Sequence, residues 1–205
     1  MSGGGAGPGP RILFLTTHLA GSGHLVRSLA VAEAAARRGA RVTVLNGGRA
    51  LAHLPAPEGA HRVAHGVAHG VAHGVAPGIE PGVELVQIPP LRVAGRDFSR
   101  PLAADGQPAD AAYLRARQAA VVAEIAAARP AVLVTETFPL GRRRLAAEFE
   151  AAIGAARAAD PAVRIVCSVR DVPEPPSRPE RLAEAEARLA GYDAVLVHGA
   201  EAVLP

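Results

Sequence analysis

The feature that most constrains this chain is an alternation. Six short apolar runs of strand length recur along it: RILFLTT (11–17), ARVTVLN (40–46), VELVQI (83–88), AVLVTET (131–137), VRIVCSV (163–169) and AVLVH (194–198). Stretches with helical spacing separate most of them. Strands joined through helices must pair in parallel, which predicts an open, doubly wound α/β sheet. The runs are almost continuously apolar, as expected of strands covered on both faces. The expected fold class is therefore a Rossmann-like sheet of about six strands in the order 3-2-1-4-5-6.

The helices between them carry their own punctuation. Leu25, Val26, Leu29, Ala32 and Ala36 fall on one stripe of the first, which stops at Arg37, Arg38 and Gly39. Further helices are predicted over 109–128, closed by Pro130, and over 142–158. Ser177 and Glu180 form a capping box that opens a last helix running to about Leu189. Residues 1–10 read as a disordered leader and 11–200 as one domain, with a repeat-containing loop at 60–82. That loop holds VAHGVAHGVAHGVAPG, so His61, His65, His69 and His73 recur every four residues. On a helix they would share a face and suit a metal. A glycine in every four residues opposes a helix by about 1 kcal/mol each, which favours an expanded surface loop.

Composition removes several chemistries. All 22 basic residues are arginine. A chain without lysine has no P-loop lysine, no Schiff base and no kinase-type lysine. Cys167 is the only cysteine, so an internal disulfide is excluded, and its apolar surroundings predict a buried, inert thiol. With aromatics at 3%, base stacking has little to work with, and no nucleic-acid partner is expected. The net charge of +3 suits a phosphorylated ligand or an anionic lipid surface. The first ten residues lack the pattern of a signal peptide, and no run reaches transmembrane length, so a cytoplasmic location is expected.

Ligands of open α/β sheets bind beyond the carboxyl ends of the strands. The residues delivered there are Thr16, Thr17 and His18 with Gly21, Ser22, Gly23 and His24; then Asn46, Gly47 and Gly48; Glu136 and Thr137 with Arg142 to Arg144 beyond; Arg170 and Asp171; and His198. The turn GSGHLV lacks the third small residue of a dinucleotide fingerprint. Asn46 and Gly47 stand where an acid would hold a ribose. Both features argue against a nicotinamide cofactor, and no cofactor is expected. The turn still allows a ligand close to the backbone, before a helix that offers free N–H groups and a positive dipole end. The dipole disfavours protonation of His24, and a neutral imidazole there can take a proton from a hydroxyl; packing of the turn is the plainer alternative. Arg142 to Arg144 read as ligand contacts or as a solvated helix start, and Arg170 with Asp171 as an ion pair or as ligand contacts.

GSGHLVRSLAVAEAAARRGARVTVLNGG resembles the start of a GT-B glycosyltransferase of the family 28 type, the group that includes the UDP-GlcNAc transferase making lipid II. TETFPLGRRR, VCSVRDV and YDAVLVHG are similar to three further motifs of a bacterial group of predicted glycosyltransferases. The resemblance runs from Arg11 to the last residues. It implies the N-terminal, acceptor-side half of a GT-B fold, whose partner domain binds the nucleotide-sugar. By carry-over, Gly21 and Gly23 approach the donor diphosphate, and His24 is a base or a phosphate or acceptor contact. Glu136 and Thr137 face the acceptor; Ser22, Arg27, Arg142, Arg170, Asp171 and His198 are further substrate-binding candidates. Enzymes of this family are typically metal-independent, and no metal is expected.

The sequence ends at AEAVLP, where the resemblance places the interdomain linker. Three expectations follow: a truncated or frameshifted product, a subunit that needs a separate C-terminal nucleotide-binding partner, or a non-catalytic binding domain. The transferase reading expects a nucleotide-sugar donor (a UDP-sugar), a glycan or lipid-linked acceptor, and peripheral contact with the inner membrane face. It also expects an exposed apolar flank near the C-terminus. The alternative is a Rossmann-like ligand-binding or partner subunit that is a monomer with its own ligand.

Overall fold

The computed structural model describes residues 9–50, 61–63, 82–95, 97–170 and 179–199, with 61–63 as backbone alone. Most of the leader, the repeat histidines 65, 69 and 73, Asp171, Ser177 and the AEAVLP segment lie outside the described residues.

The strands are β1 (Arg11–Thr16), β2 (Arg41–Asn46), β3 (His61–Val63), β4 (Val83–Gln87), β5 (Val132–Glu136), β6 (Arg164–Arg170) and β7 (Ala194–His198). The helices are α1 (Gly23–Ala36), α2 (Ala111–Ala128), α3 (Ala146–Ala159) and α4 (Pro179–Leu189), with a 3-10 turn at Arg143–Leu145. All described strands pair in parallel, in the order β3-β4-β2-β1-β5-β6-β7. The six predicted strands keep their predicted order. The addition is β3, which falls inside the segment read as a loop and extends the sheet beyond β4. Three residues are too short for a periodic signal.

Alternate strand residues build two cores, as the period of two demands. Phe14, Val42, Val44, Leu85 and Val134 pack under Leu25, Leu29 and Ala32 of α1. Leu13, Leu15, Leu45, Val86, Leu133 and Ile165 pack on the other face against Val121 and Ile125 of α2 and Phe149, Ala152 and Ala156 of α3. Each large apolar side chain so buried contributes about 1.5–3 kcal/mol. Phe138 stacks on Phe149 with ring centroids 4.7 Å apart. Cys167 is fully buried and its thiol is pushed up to about 12, first by desolvation and then by the charge of Glu136.

Two apolar expectations are corrected. Val26 belongs to the predicted stripe, yet it is exposed; Ser28 takes the buried place and accepts a hydrogen bond from Thr16 at 2.9 Å. The run in β7 is not covered on both faces: Val195, Leu196 and Val197 are 43%, 41% and 44% exposed. Among the described residues it is the outer strand and pairs with β6 alone, so an apolar flank stands open near the C-terminal end of the described sheet.

Arg117 of α2 is fully buried. Its Nε and Nη2 donate to the two carboxylate oxygens of Glu148 on α3, at 2.6 and 2.9 Å. Nη2 also donates to Thr17 Oγ1 at 2.7 Å, and Nη1 donates to the Gly47 carbonyl at 2.7 Å and to the Pro89 carbonyl. Every N–H of the guanidinium is thus engaged. Gly47 must lack a side chain, because a Cβ there would collide with this guanidinium and with Thr17. Breaking such a pair strands a buried charge, so Arg117→Met should lower unfolding stability by about 3–5 kcal/mol. The double variant Arg117→Met with Glu148→Met should recover a large part of that loss. Denaturant titration of the wild type, Arg117→Met, Glu148→Met and the double variant checks both, and a double variant as weak as the sum of its singles would refute the pairing.

Candidate functional site

The carboxyl ends of β1, β5, β6 and β7 converge with the start of α1. Register does most of the work. Glu136 lies opposite Ser168, and Ser168 lies opposite Leu196. His198 is two residues further on the same face of β7.

Glu136 is the centre. Its side chain is 1% exposed, and its two oxygens are divided between partners. Oε1 accepts from His24 Nδ1 at 2.9 Å and from Arg27 Nη2, with Thr137 Oγ1 at 3.4 Å. Oε2 accepts from Ser168 Oγ at 2.8 Å, and Ser168 Oγ is 3.0 Å from His198 Nε2. Burial opposes ionisation of Glu136. The bonds from His24 and Ser168 and the Arg27 guanidinium outweigh it and hold the carboxyl below its ordinary value.

The His24 tautomer follows. A carboxylate offers only lone pairs, so a nitrogen 2.9 Å from it must carry the proton. Nδ1 is therefore N–H, and the contacts of Nδ1 to Arg27 Nη2 and Thr137 Oγ1, both 3.4 Å, are secondary. When the ring carries one proton, Nε2 is the nitrogen left with the lone pair. The side chain is 25% exposed, so solvent or a ligand can reach it.

The glycine turn that precedes this ring is open. Gly21 and Gly23 are exposed, and a Cβ on either would meet nothing within 4 Å. Neither has the positive φ that would require glycine. Ser22 is the N-cap of α1 but makes no side-chain capping bond, and the first turn carries no acid. Helix N–H groups are thus left for a partner outside the helix.

Arg142 does not start a helix. It is left-handed at φ 58, ahead of the 3-10 turn that leads into α3. Its charge is felt by Glu136 and by His18, and burial lowers its pKa against the pull of Glu136. The Nε–H groups of Arg27 and Arg142 are buried without a hydrogen-bond partner among the described residues. Unpaired buried donors are rare in folded proteins and call for an explanation. Thr137, at φ 71, is an outlier for a β-branched residue.

The remaining predicted residues divide. Arg143 pairs with Glu184 at 3.4 Å on the surface, and Arg144 is exposed. Arg170 is exposed at the end of β6; its predicted partner Asp171 lies outside the described residues. His198 joins the cluster through Ser168, a residue the sequence reading passed over. His18 is buried and has its Nε2 3.1 Å from the Arg49 carbonyl, with the Asn46 side chain beside it. Asn46 and Gln87 bond to each other at 2.8 Å and brace the neighbouring loops. Among the described residues no group of three His, Cys, Asp or Glu side chains is placed to hold a metal ion, and no helix is long and apolar enough to cross a membrane.

A pocket of about 430 Å³ lies at the opposite edge of the sheet, lined by Arg11, Arg41, Gly82 and Pro130 among others. The cluster around Glu136 is the better candidate. It stands at the edge where open α/β sheets bind ligands, and among the described residues it alone combines a buried carboxylate, an oriented imidazole and unpaired arginine N–H groups.

No protein-family model matches the sequence, and no curated protein matches it. Among solved structures, the chain is similar to Phytolacca americana UGT2, complexed with UDP-2fluoro-glucose and pterostilbene, at 12% identity and a TM-score of 0.45. The match covers 80% of this chain and 31% of that one. It is also similar to TcCGT1, in complex with UDP, at 16% identity and a TM-score of 0.46, over 95% of this chain and 45% of that one. The chain thus spans less than half the length of either.

Because the folded-state pKa of Glu136 is depressed, its ion pairs stabilise the fold above the ordinary carboxyl value of 4.5. That contribution is lost as pH falls through the lower, folded value. Glu136→Gln should therefore be less stable than the wild type at neutral pH, and the gap should shrink as the solution is acidified below 4.5. Urea titrations across that range check the sign; a gap that widens on acidification would mean that the carboxylate is not held as an anion.

Proposed function

We propose that this domain is the acceptor-side half of a GT-B glycosyltransferase of the family 28 type, which moves a sugar from a UDP-sugar to an acceptor hydroxyl. The observation that carries the reading is the His24–Glu136 pair. A buried carboxylate fixes the imidazole with Nδ1 protonated and Nε2 bare, just after an open glycine turn.

In the proposed step, His24 Nε2 removes the proton of the acceptor hydroxyl as the oxygen attacks the anomeric carbon of the sugar. The bond from that carbon to the diphosphate breaks, and UDP leaves with the electron pair. Glu136 holds the ring in its tautomer and stabilises the imidazolium that forms, without itself taking the proton. Gly21, Ser22 and Gly23 offer backbone N–H groups at the helix N-terminus, and Arg27 and Arg142 offer their unpaired Nε–H groups, to the diphosphate or to a phosphorylated acceptor. Thr137 stands beside the acceptor. The donor base requires a second, nucleotide-binding half, on the same polypeptide or on a partner subunit. The open apolar face of β7 supports docking of another domain. A cytoplasmic setting, with peripheral contact to an anionic membrane through exposed arginines such as Arg144, belongs to the same proposal.

The test pairs the chain with its nucleotide-binding half and measures UDP release from a panel of UDP-sugars and hydroxyl acceptors. The pair should turn over at least one donor, and His24→Ala or Glu136→Ala should each lower kcat by about 10²–10⁴-fold. Unchanged turnover in both variants would remove these residues from the mechanism. A pair that is inert while the chain alone, as a monomer, binds a small ligand would favour the non-catalytic binding domain.

A further inference from the structure

Glu136 has two oxygens, and the chemistry above uses one. The other accepts from Ser168 Oγ, which in turn lies 3.0 Å from His198 Nε2. Ser168 is 3% exposed and owns a single proton. The carboxylate can only accept, so that proton points to Oε2. What remains on Ser168 toward His198 is a lone pair, which requires His198 to present Nε2–H. The bonds run in one direction, from His198 to Ser168 to Glu136, and from His24 to Glu136 on the other side.

We propose that Ser168 and His198 are positioning residues of the same site, and that one carboxylate sets the tautomers of two imidazoles, His24 directly and His198 through Ser168. His24 is left with a bare Nε2 and His198 with a bare Nδ1. Among the described residues, nothing hydrogen bonds to that Nδ1. The site therefore carries two oriented acceptors at one sheet edge, which suits a ligand offering two hydroxyl groups, such as a sugar ring. Ser168 also anchors the second oxygen of Glu136, so the carboxylate cannot swing away from His24.

The direction of the chain makes a sharp prediction for Glu136→Gln. Arg27 is a donor only and faces the Oε1 position, so the amide must turn its oxygen to Arg27 and His24 and its NH₂ to Ser168. Ser168 then accepts from the amide and gives its own proton to His198 Nε2. The His198 tautomer inverts to Nδ1–H, although among the described residues no hydrogen bond joins that ring directly to residue 136.

The experiment is nitrogen NMR of the ¹⁵N-histidine-labelled chain at about pH 8, where an imidazole is neutral. In the wild type the unprotonated nitrogen of His198 should be Nδ1; in Glu136→Gln it should be Nε2. Adding Ser168→Ala to Glu136→Gln should abolish the inversion. In Ser168→Ala alone, the protected Nε2–H signal of His198 should be lost to solvent exchange, and in Ser168→Thr it should return. The hydroxyl variants keep the test decisive if the amide variant does not fold. An Nδ1–H tautomer in the wild type, an unchanged tautomer in folded Glu136→Gln, or a protected Nε2–H that survives Ser168→Ala would each overturn the proposal. The proposal rests on reading Glu136 as the group that orients His24. Its test uses no sugar, so it can fail while UDP release succeeds, and the reverse.

Discussion

The structure depends first on a guanidinium removed from water. Arg117 reaches from α2 under the loops that follow β1, β2 and β4, and its five donors are all answered. Burying that charge would be prohibitive if one partner were missing. The loops therefore have little freedom: Thr17, Gly47 and Pro89 sit where the arginine needs acceptors. His18 follows Thr17, and the glycine turn follows His18. The position of the functional turn is thus inherited from an ion pair on the opposite face of the sheet. Gly48 extends the same constraint, since a side chain there would strike the His18 ring.

A second set of buried charges, around Glu136, is built differently. In the Arg117 set every polar hydrogen has a home. Around Glu136 the carboxylate is satisfied, but the arginines beside it are not: the buried Nε–H groups of Arg27 and Arg142 have no hydrogen-bond partner among the described residues. A closed network adds rigidity and uniqueness to a core, whereas an open one leaves desolvated donors that only a bound group can answer. The contrast separates a structural arginine from two candidate ligand arginines, which sequence alone cannot do. The neighbouring α1 terminus, uncapped by side chain or acid, adds donors of the same polarity.

Legibility in the sequence followed periodicity. The six long strands and their order were readable because each is an apolar run bounded by breakers, and the glycine turn, His24 and Glu136 were readable because they follow such runs. Arg117 was not. It lies in AYLRARQAAVV, where its spacing resembles that of Arg115, and only the tertiary arrangement distinguishes the buried arginine from the exposed one. Ser168 was hidden for the same reason: a small polar residue inside VCSV looks like filler until register sets it against Glu136. Val26 and the β7 valines show the converse failure, because an apolar pattern states what could be buried and not what covers it. The acid of the predicted capping box, Glu180, does stand in the first turn of α4, which begins at Pro179.

The loop after β5 shows how a sequence-level conflict is resolved in three dimensions. Three consecutive arginines at a helix N-terminus would oppose the helix dipole. The chain avoids this by delaying the helix. Arg142 turns left-handed and folds toward the Glu136 cluster, Arg143 and Arg144 occupy a 3-10 turn, and α3 begins only at Ala146, with Glu148 in its first turn. Glu148 is the partner of Arg117, so the acid that suits the dipole is also the one that answers the buried guanidinium. The arrangement stores strain at Thr137 and Arg142, each at a positive φ that costs on the order of 1–3 kcal/mol. Gly141 permits the tight return, since a Cβ there would approach Thr137 Cγ2 to 2.5 Å. Strain of this kind persists only where the surroundings over-determine it. Here those surroundings are the Thr137 N–H bond to the Ser168 carbonyl at 2.7 Å and the Phe138–Phe149 stack beneath. The result is that an arginine with an unanswered N–H is carried to the edge of the sheet beside the one buried carboxylate that orients His24.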